Sequence, residues 1–190
     1  IKINWDAFIF SQGEFGNPNS ISKLLIRNNY FKLEKEGGAI TLLDLSISKG
    51  EGKKMDVKVS GNKIYQDNLK YNCGGIWGLW AKDVLVSNNK IWGNRYAAIY
   101  SEDGDGMSGW VIKGNDVHGY NAQIAPIWLN SSSHDNTVIG GSLNTTVLDE
   151  GTNNVLINVN KKHRDHNPQE IRKDMMRDRG MMKSFKGHRR

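Results

Sequence analysis

The stretch SEDGDG, Ser101 to Gly106, holds Glu102, Asp103 and Asp105 in a glycine-rich run, a spacing that offers oxygen ligands to calcium. It lacks the full EF-hand pattern, and the same composition also makes a solvated turn. Tyr100 directly precedes the run, Arg95 lies on the turn leading to Tyr100, and His118 lies one repeat after Trp92. His118 or Tyr100 can take a proton, and Arg95 or calcium can neutralise a carboxylate, which together are the parts needed to abstract a proton beside a carboxylate. A solvent-facing His is also often idle. The single cysteine, Cys73, excludes an internal disulfide framework and a Cys-based zinc cluster, and fits a small core residue.

These groups need a scaffold, and an internal repeat supplies one. The pattern apolar-x-apolar-x-(Gly/Asn)-Asn-x-apolar fits Leu24 to Phe31, Val57 to Ile64, Val84 to Ile91 and Trp110 to Val117. Its second Asn falls at Asn29, Asn62, Asn89 and Asn115, at intervals of 33, 27 and 26 residues. A degenerate copy, NTVIGGSL from Asn136, puts Gly141 in the Asn slot, and NNVLINVN ending at Asn160 is a shortened copy. Each full copy is followed by a second apolar strand: GAITLL, GIWGLW, AAIYSE and APIWLN. DAFIF from Asp6 matches that second strand, so the chain starts inside a repeat and is expected to be part of a longer protein.

Period-two strands joined by turn residues, recurring about every 26 residues, suit stacked parallel strands and not a helical solenoid or a propeller. The repeated Asn is expected at a bend between sheets, where it tolerates a left-handed backbone and its amide bonds to the next repeat; Gly61 and Gly114, one position earlier, relieve crowding. Alternation places Ile9, Ile40, Ile76, Ile99 and Ile127 inward, and Phe10, Thr41, Trp77, Tyr100 and Trp128 outward. A second outward column runs Lys32, Tyr65, Trp92, His118. Exposed aromatics in register form a platform for sugar rings, or else they are covered by a loop, by the C-terminal tail or by a neighbouring subunit.

These repeats resemble the right-handed parallel β-helix superfamily of pectate-lyase-like enzymes, periplasmic copper-site maturation proteins and phage tailspikes, over residues 1 to 160. The resemblance implies an all-β, right-handed parallel β-helix solenoid of about five to six coils. It implies an extracellular or periplasmic protein that binds or processes a polysaccharide. The carbohydrate would lie on Trp77, Tyr100, Trp128, Trp92 and Tyr65. A lyase step would use His118 or Tyr100 as base with Arg95 or calcium, the latter held by Glu102, Asp103 and Asp105. The alternative is a structural or adhesion module, such as a tailspike or surface-protein segment, whose aromatic columns are subunit contacts in a homo-oligomer. The chain departs from the enzymes of the superfamily: it has no paired-Asp hydrolase pattern with Gly-His-Gly and Arg-x-Lys, no Asp-Pro-His-Asp and no Trp-x-Asp-His. No catalytic set carries over residue by residue.

Charge separates the two ends of the chain. The net charge is +6, yet residues 161 to 190 carry eleven Lys/Arg against four Asp/Glu, or +7, leaving −1 for residues 1 to 160. A near-neutral body argues against a nucleic-acid channel, and no apolar run is long enough to span a membrane. Within 161–190, the sequence predicts Asn167 as an N-cap, Pro168 as the first helical residue and Gly180 as a stop. Ile171, Met175 and Met176 give this helical segment an apolar side, expected to cap the open end of the last repeat.

Overall fold

The computed structural model describes residues 2–3, 9–12, 23–33, 40–43, 56–66, 75–79, 82–93, 97–101, 106–118, 125–141 and 145–162. Every regular element among them is a strand. The chain runs through β1 (Lys2–Ile3), β2 (Ile9–Gln12), β3 (Lys23–Arg27), β4 (Tyr30–Leu33), β5 (Ile40–Leu43) and β6 (Asp56–Ser60). It continues through β7 (Lys63–Gln66), β8 (Ile76–Leu79), β9 (Val84–Ser87), β10 (Lys90–Trp92), β11 (Ile99–Tyr100) and β12 (Val111–Lys113). Then follow β13 (Asp116–His118), β14 (Ile127–Leu129), β15 (Thr137–Ile139), β16 (Thr146–Asp149), β17 (Val155–Ile157) and β18 (Asn160–Lys162).

Strands from successive repeats pair side by side. They form a five-stranded sheet β1-β4-β7-β10-β13, a seven-stranded sheet β2-β5-β8-β11-β14-β16-β18 and a six-stranded sheet β3-β6-β9-β12-β15-β17. The pairing is parallel throughout, with equivalent repeat positions in register: Ile26, Val59, Val86, Ile112, Val138 and Leu156 make one stack. This is an all-β arrangement of parallel sheets, compatible with the expected parallel β-helix. The last repeat departs from the others, because β17 is followed after two residues by β18, which joins the seven-stranded sheet.

The inward stacks of all three sheets meet in one core. Val57, Val59, Val84, Val86, Trp110 and Ile112 are buried as expected, together with Phe31, Ile64 and Ile91 from the five-stranded sheet and Ile40, Ile76, Ile99 and Ile127 from the seven-stranded sheet. Each such side chain contributes about 1.5–3 kcal/mol relative to exposure. Trp110 fits because Gly78 faces it: a Cβ on Gly78 would lie 2.5 Å from the indole Cζ2. At the end of the isoleucine stack the inward position passes from Val147 to Lys161 on β18, an exposed charged residue on an edge strand. Inward charge of this kind blunts an edge against further pairing.

The Asn repeat forms a ladder at the bend between the six- and five-stranded sheets. Asn29 Nδ2 donates to Asn62 Oδ1 at 3.1 Å, Asn62 Nδ2 to Asn89 Oδ1 at 3.0 Å, and Asn89 Nδ2 to Asn115 Oδ1 at 2.9 Å. Each acceptor oxygen also takes the backbone N–H of the preceding ladder residue. The left-handed backbone, however, belongs to the residue before the ladder Asn: Asn28, Gly61, Asn88 and Gly114 all have φ between 54° and 64°. The column alternates Asn and Gly for a steric reason. A Cβ on Gly61 would strike Asn28 Oδ1, and one on Gly114 would strike Asn88 Oδ1. Gly141 occupies the Asn slot of the fifth copy, where a Cβ would collide with the Asn115 backbone.

Candidate functional site

Both predicted outward columns exist in register, and they differ in what surrounds them. On the seven-stranded sheet, Thr41, Trp77, Tyr100, Trp128 and Leu148 occupy the same position of β5, β8, β11, β14 and β16. Trp77 and Tyr100 stack with ring centroids 5.9 Å apart and planes 8° from parallel. The expected exposure of this column is corrected by its burial: Trp128 is 0% exposed, Tyr100 8% and Leu148 4%. With Ala97 and Ala125 they form a second apolar cluster, and the half-buried Trp77 packs against it. Three adjacent large rings carry enough apolar area to favour removal from water. Trp128 Nε1 donates to Glu150 Oε2 at 2.9 Å, whereas Trp77 Nε1 is buried without a partner. In this state neither Tyr100 nor Trp128 offers a ring face to a sugar.

The column of the five-stranded sheet is exposed at Tyr65 and half-buried at Lys32 and Trp92. Lys32, Tyr65, Trp92 and His118 share one position of β4, β7, β10 and β13. Tyr65 is 37% exposed, and it meets Trp92 edge to face, with centroids 6.5 Å apart and planes at 68°. Two residues earlier on the same strands stand Tyr30, Lys63, Lys90 and Asp116, of which the first three are exposed. The backbone register places His118 at the end of this column. Each of β4, β7 and β10 therefore carries one aromatic residue and one lysine in these two columns, on strands spaced about 4.8 Å apart.

The residues expected to abstract a proton are not gathered on one face. Tyr100 stands on the seven-stranded sheet and His118 on the five-stranded one. Arg95, Glu102, Asp103 and Asp105, and with them the calcium expectation, lie outside the described residues, as do Cys73 and the helical segment from Asn167. Among the described residues no three His, Cys, Asp or Glu side chains group as metal ligands.

Sequence reasoning missed a second bend, before the six-stranded sheet. Asp83, Gly109, Asp135 and Asn153 take φ between 54° and 67° there. Asn136 and Asn154 form a short second ladder, with Asn136 Nδ2 donating to Asn154 Oδ1 at 3.0 Å and Trp110 N–H to Asn136 Oδ1 at 2.9 Å. Beside it His134 Nδ1 and Asp135 Oδ2 lie 2.7 Å apart in solvent. The hydrogen bond from His134 holds the Asp135 carboxyl below the ordinary carboxylate range, with a smaller contribution from Asn153. The signal was a 26-residue spacing shared by Asp83, Gly109 and Asp135.

No family model, curated protein or solved structure matches this chain.

Proposed function

We propose that the chain is a right-handed parallel β-helix that binds an extended polysaccharide outside the cell or in the periplasm, along the open face of its five-stranded sheet. The observation that carries this reading is the in-register column of Lys32, Tyr65, Trp92 and His118, in which Tyr65 is exposed, beside the exposed Tyr30, Lys63 and Lys90. Sugar C–H faces pack on aromatic rings, and Lys32, Lys63 and Lys90 favour an acidic chain through hydrogen bonds and charge. Strands repeat along the stack as sugars repeat along a polymer, so one ligand can meet several equivalent positions. A lyase step would fall to His118, the expected base on this face, with Arg95 and a calcium site at Glu102, Asp103 and Asp105 as its partners. In this proposal the segment from Asn167 is a helix whose apolar side covers the β body.

Tyr100 and Trp128 favour a second reading for the other column. Their burial fits the structural or adhesion alternative, in which that face is a packing contact and not a ligand platform.

A glycan array with and without calcium tests the first reading, with unsaturated uronate absorbance reporting any lyase product. Wild-type protein should retain acidic polysaccharides, and Trp92→Ala and Tyr65→Ala should lose them at unchanged melting temperature. Equal retention by Trp92→Ala would refute the platform.

A further inference from the structure

We infer that residues 167–180 of this chain dock on the outer face of the seven-stranded sheet and cover the cluster of Trp77, Tyr100, Trp128 and Leu148. This rests on the helical pattern of the segment and is independent of any polysaccharide.

The face needs a cover. Trp128 is wholly buried although it points away from the main core, and its strand neighbours Tyr100 and Leu148 lie beside it in the plane of the sheet. In-plane neighbours shield the flanks of a ring and leave its outer surface to water.

The chain itself arrives at that face. The last described strand, β18, extends the same sheet, and Lys162 pairs with Leu148. Lys162 therefore stands in the column one strand beyond the cluster. Four residues, 163 to 166, then reach at most about 14 Å before Asn167. A helix from Pro168 to Arg179 spans about 18 Å. The column from Leu148 to Trp77 crosses three strand spacings, about 14 Å. One helix returning across the strands thus covers the four residues with little to spare.

The chemistry also fits. Ile171, Met175 and Met176 give the segment an apolar side, and thioethers pack well on aromatic rings. The competing position, the end of the stack, has less to gain. Its isoleucine column already terminates in the exposed Lys161, and among the described residues the side chains packed on the core there are Leu156 and Val159, both partly buried, while Val155 and Ile157 of β17 alternate to the outer face.

The test uses the full-length chain carrying Met175→Glu, with trypsin cleavage at Arg172 and Lys173 and acrylamide quenching of tryptophan as readouts. Because the substitution lies outside the β body, far-UV circular dichroism should keep its strand signal. Cleavage should accelerate on the order of tenfold and quenching should rise. Trp128→Ala should accelerate cleavage of the tail to the same extent, and combining the two should add little further. Cleavage and quenching identical to wild type in Met175→Glu would overturn the proposal. So would tryptophan burial that is lost on dilution with a fall in scattering mass, which would make a second copy the cover.

Discussion

Replacing Asn89 by Ala should be far more damaging than the same change at Asn29, although both occupy the same slot of the repeat. Asn89 is wholly buried and makes four side-chain hydrogen bonds. Its Oδ1 accepts from Asn62 N and Nδ2, and its Nδ2 donates to Val59 O and Asn115 Oδ1. With Ala at 89, Asn62 Nδ2 retains Ile26 O, and Asn115 Oδ1 retains Asn89 N, but the buried Asn62 N–H has no partner left. One orphaned N–H at about 1–3 kcal/mol and three lost bonds at about 0.5–1.5 kcal/mol each sum to about 2.5–7.5 kcal/mol. That approaches the whole stability of an ordinary domain, about 5–15 kcal/mol. Asn29→Ala removes only the Nδ2 bond to Asn62 Oδ1, which keeps Asn29 N–H, so about 0.5–1.5 kcal/mol is expected. Urea unfolding followed by circular dichroism reads both. Similar losses at the two positions would refute the argument that the ladder acts through satisfied buried groups.

Trp128→Ala should cost about 3–5 kcal/mol in the same assay without weakening polysaccharide retention, since the ring is buried away from the proposed platform. Gly78→Ala should cost about 1–3 kcal/mol through the clash with Trp110, and Trp110→Phe in the same chain should return part of the loss. Asp135→Asn bears on pH: because the folded-state pKa is lowered, the stability Asp135 contributes is present above the ordinary Asp pKa and fades as pH falls through the lowered value. The variant should therefore lose melting temperature near neutral pH and converge on wild type in acid; a constant offset across that range would contradict it.

The spacing of Asn29, Asn62, Asn89 and Asn115 was enough to foresee which residues stack and which way they point, because a parallel ladder converts sequence period directly into register. Period alone does not say whether an outward face is wet. Tyr100 and Trp128 obey the alternation and are nevertheless buried, since cover depends on residues remote in the chain. The left-handed position was displaced by one because Asn at 28 and 88 and Gly at 61 and 114 share no side-chain type, only a tolerance of positive φ. Asn136 and Asn154 escaped notice because the same slot holds Val84 and Trp110 in earlier repeats. His118 was legible as a position; its expected partners, Arg95 and the acidic run, lie outside the described residues.

The Asn28, Gly61, Asn88, Gly114 column also limits how such a chain can grow. Asn28 and Asn88 each fill the space a Cβ would take on the next glycine, whereas Gly114 is followed by Gly140, so an asparagine in this slot must be followed by a glycine. Tandem duplication of the single repeat bearing Asn88 would bring two left-handed asparagines into contact, the carboxamide of the first occupying the Cβ site of the second. Duplication of the repeats bearing Asn88 and Gly114 together would preserve the alternation. Lengthened variants built by adding a glycine-bearing repeat, or an asparagine-bearing and a glycine-bearing repeat together, should therefore fold where those built by adding one asparagine-bearing repeat do not.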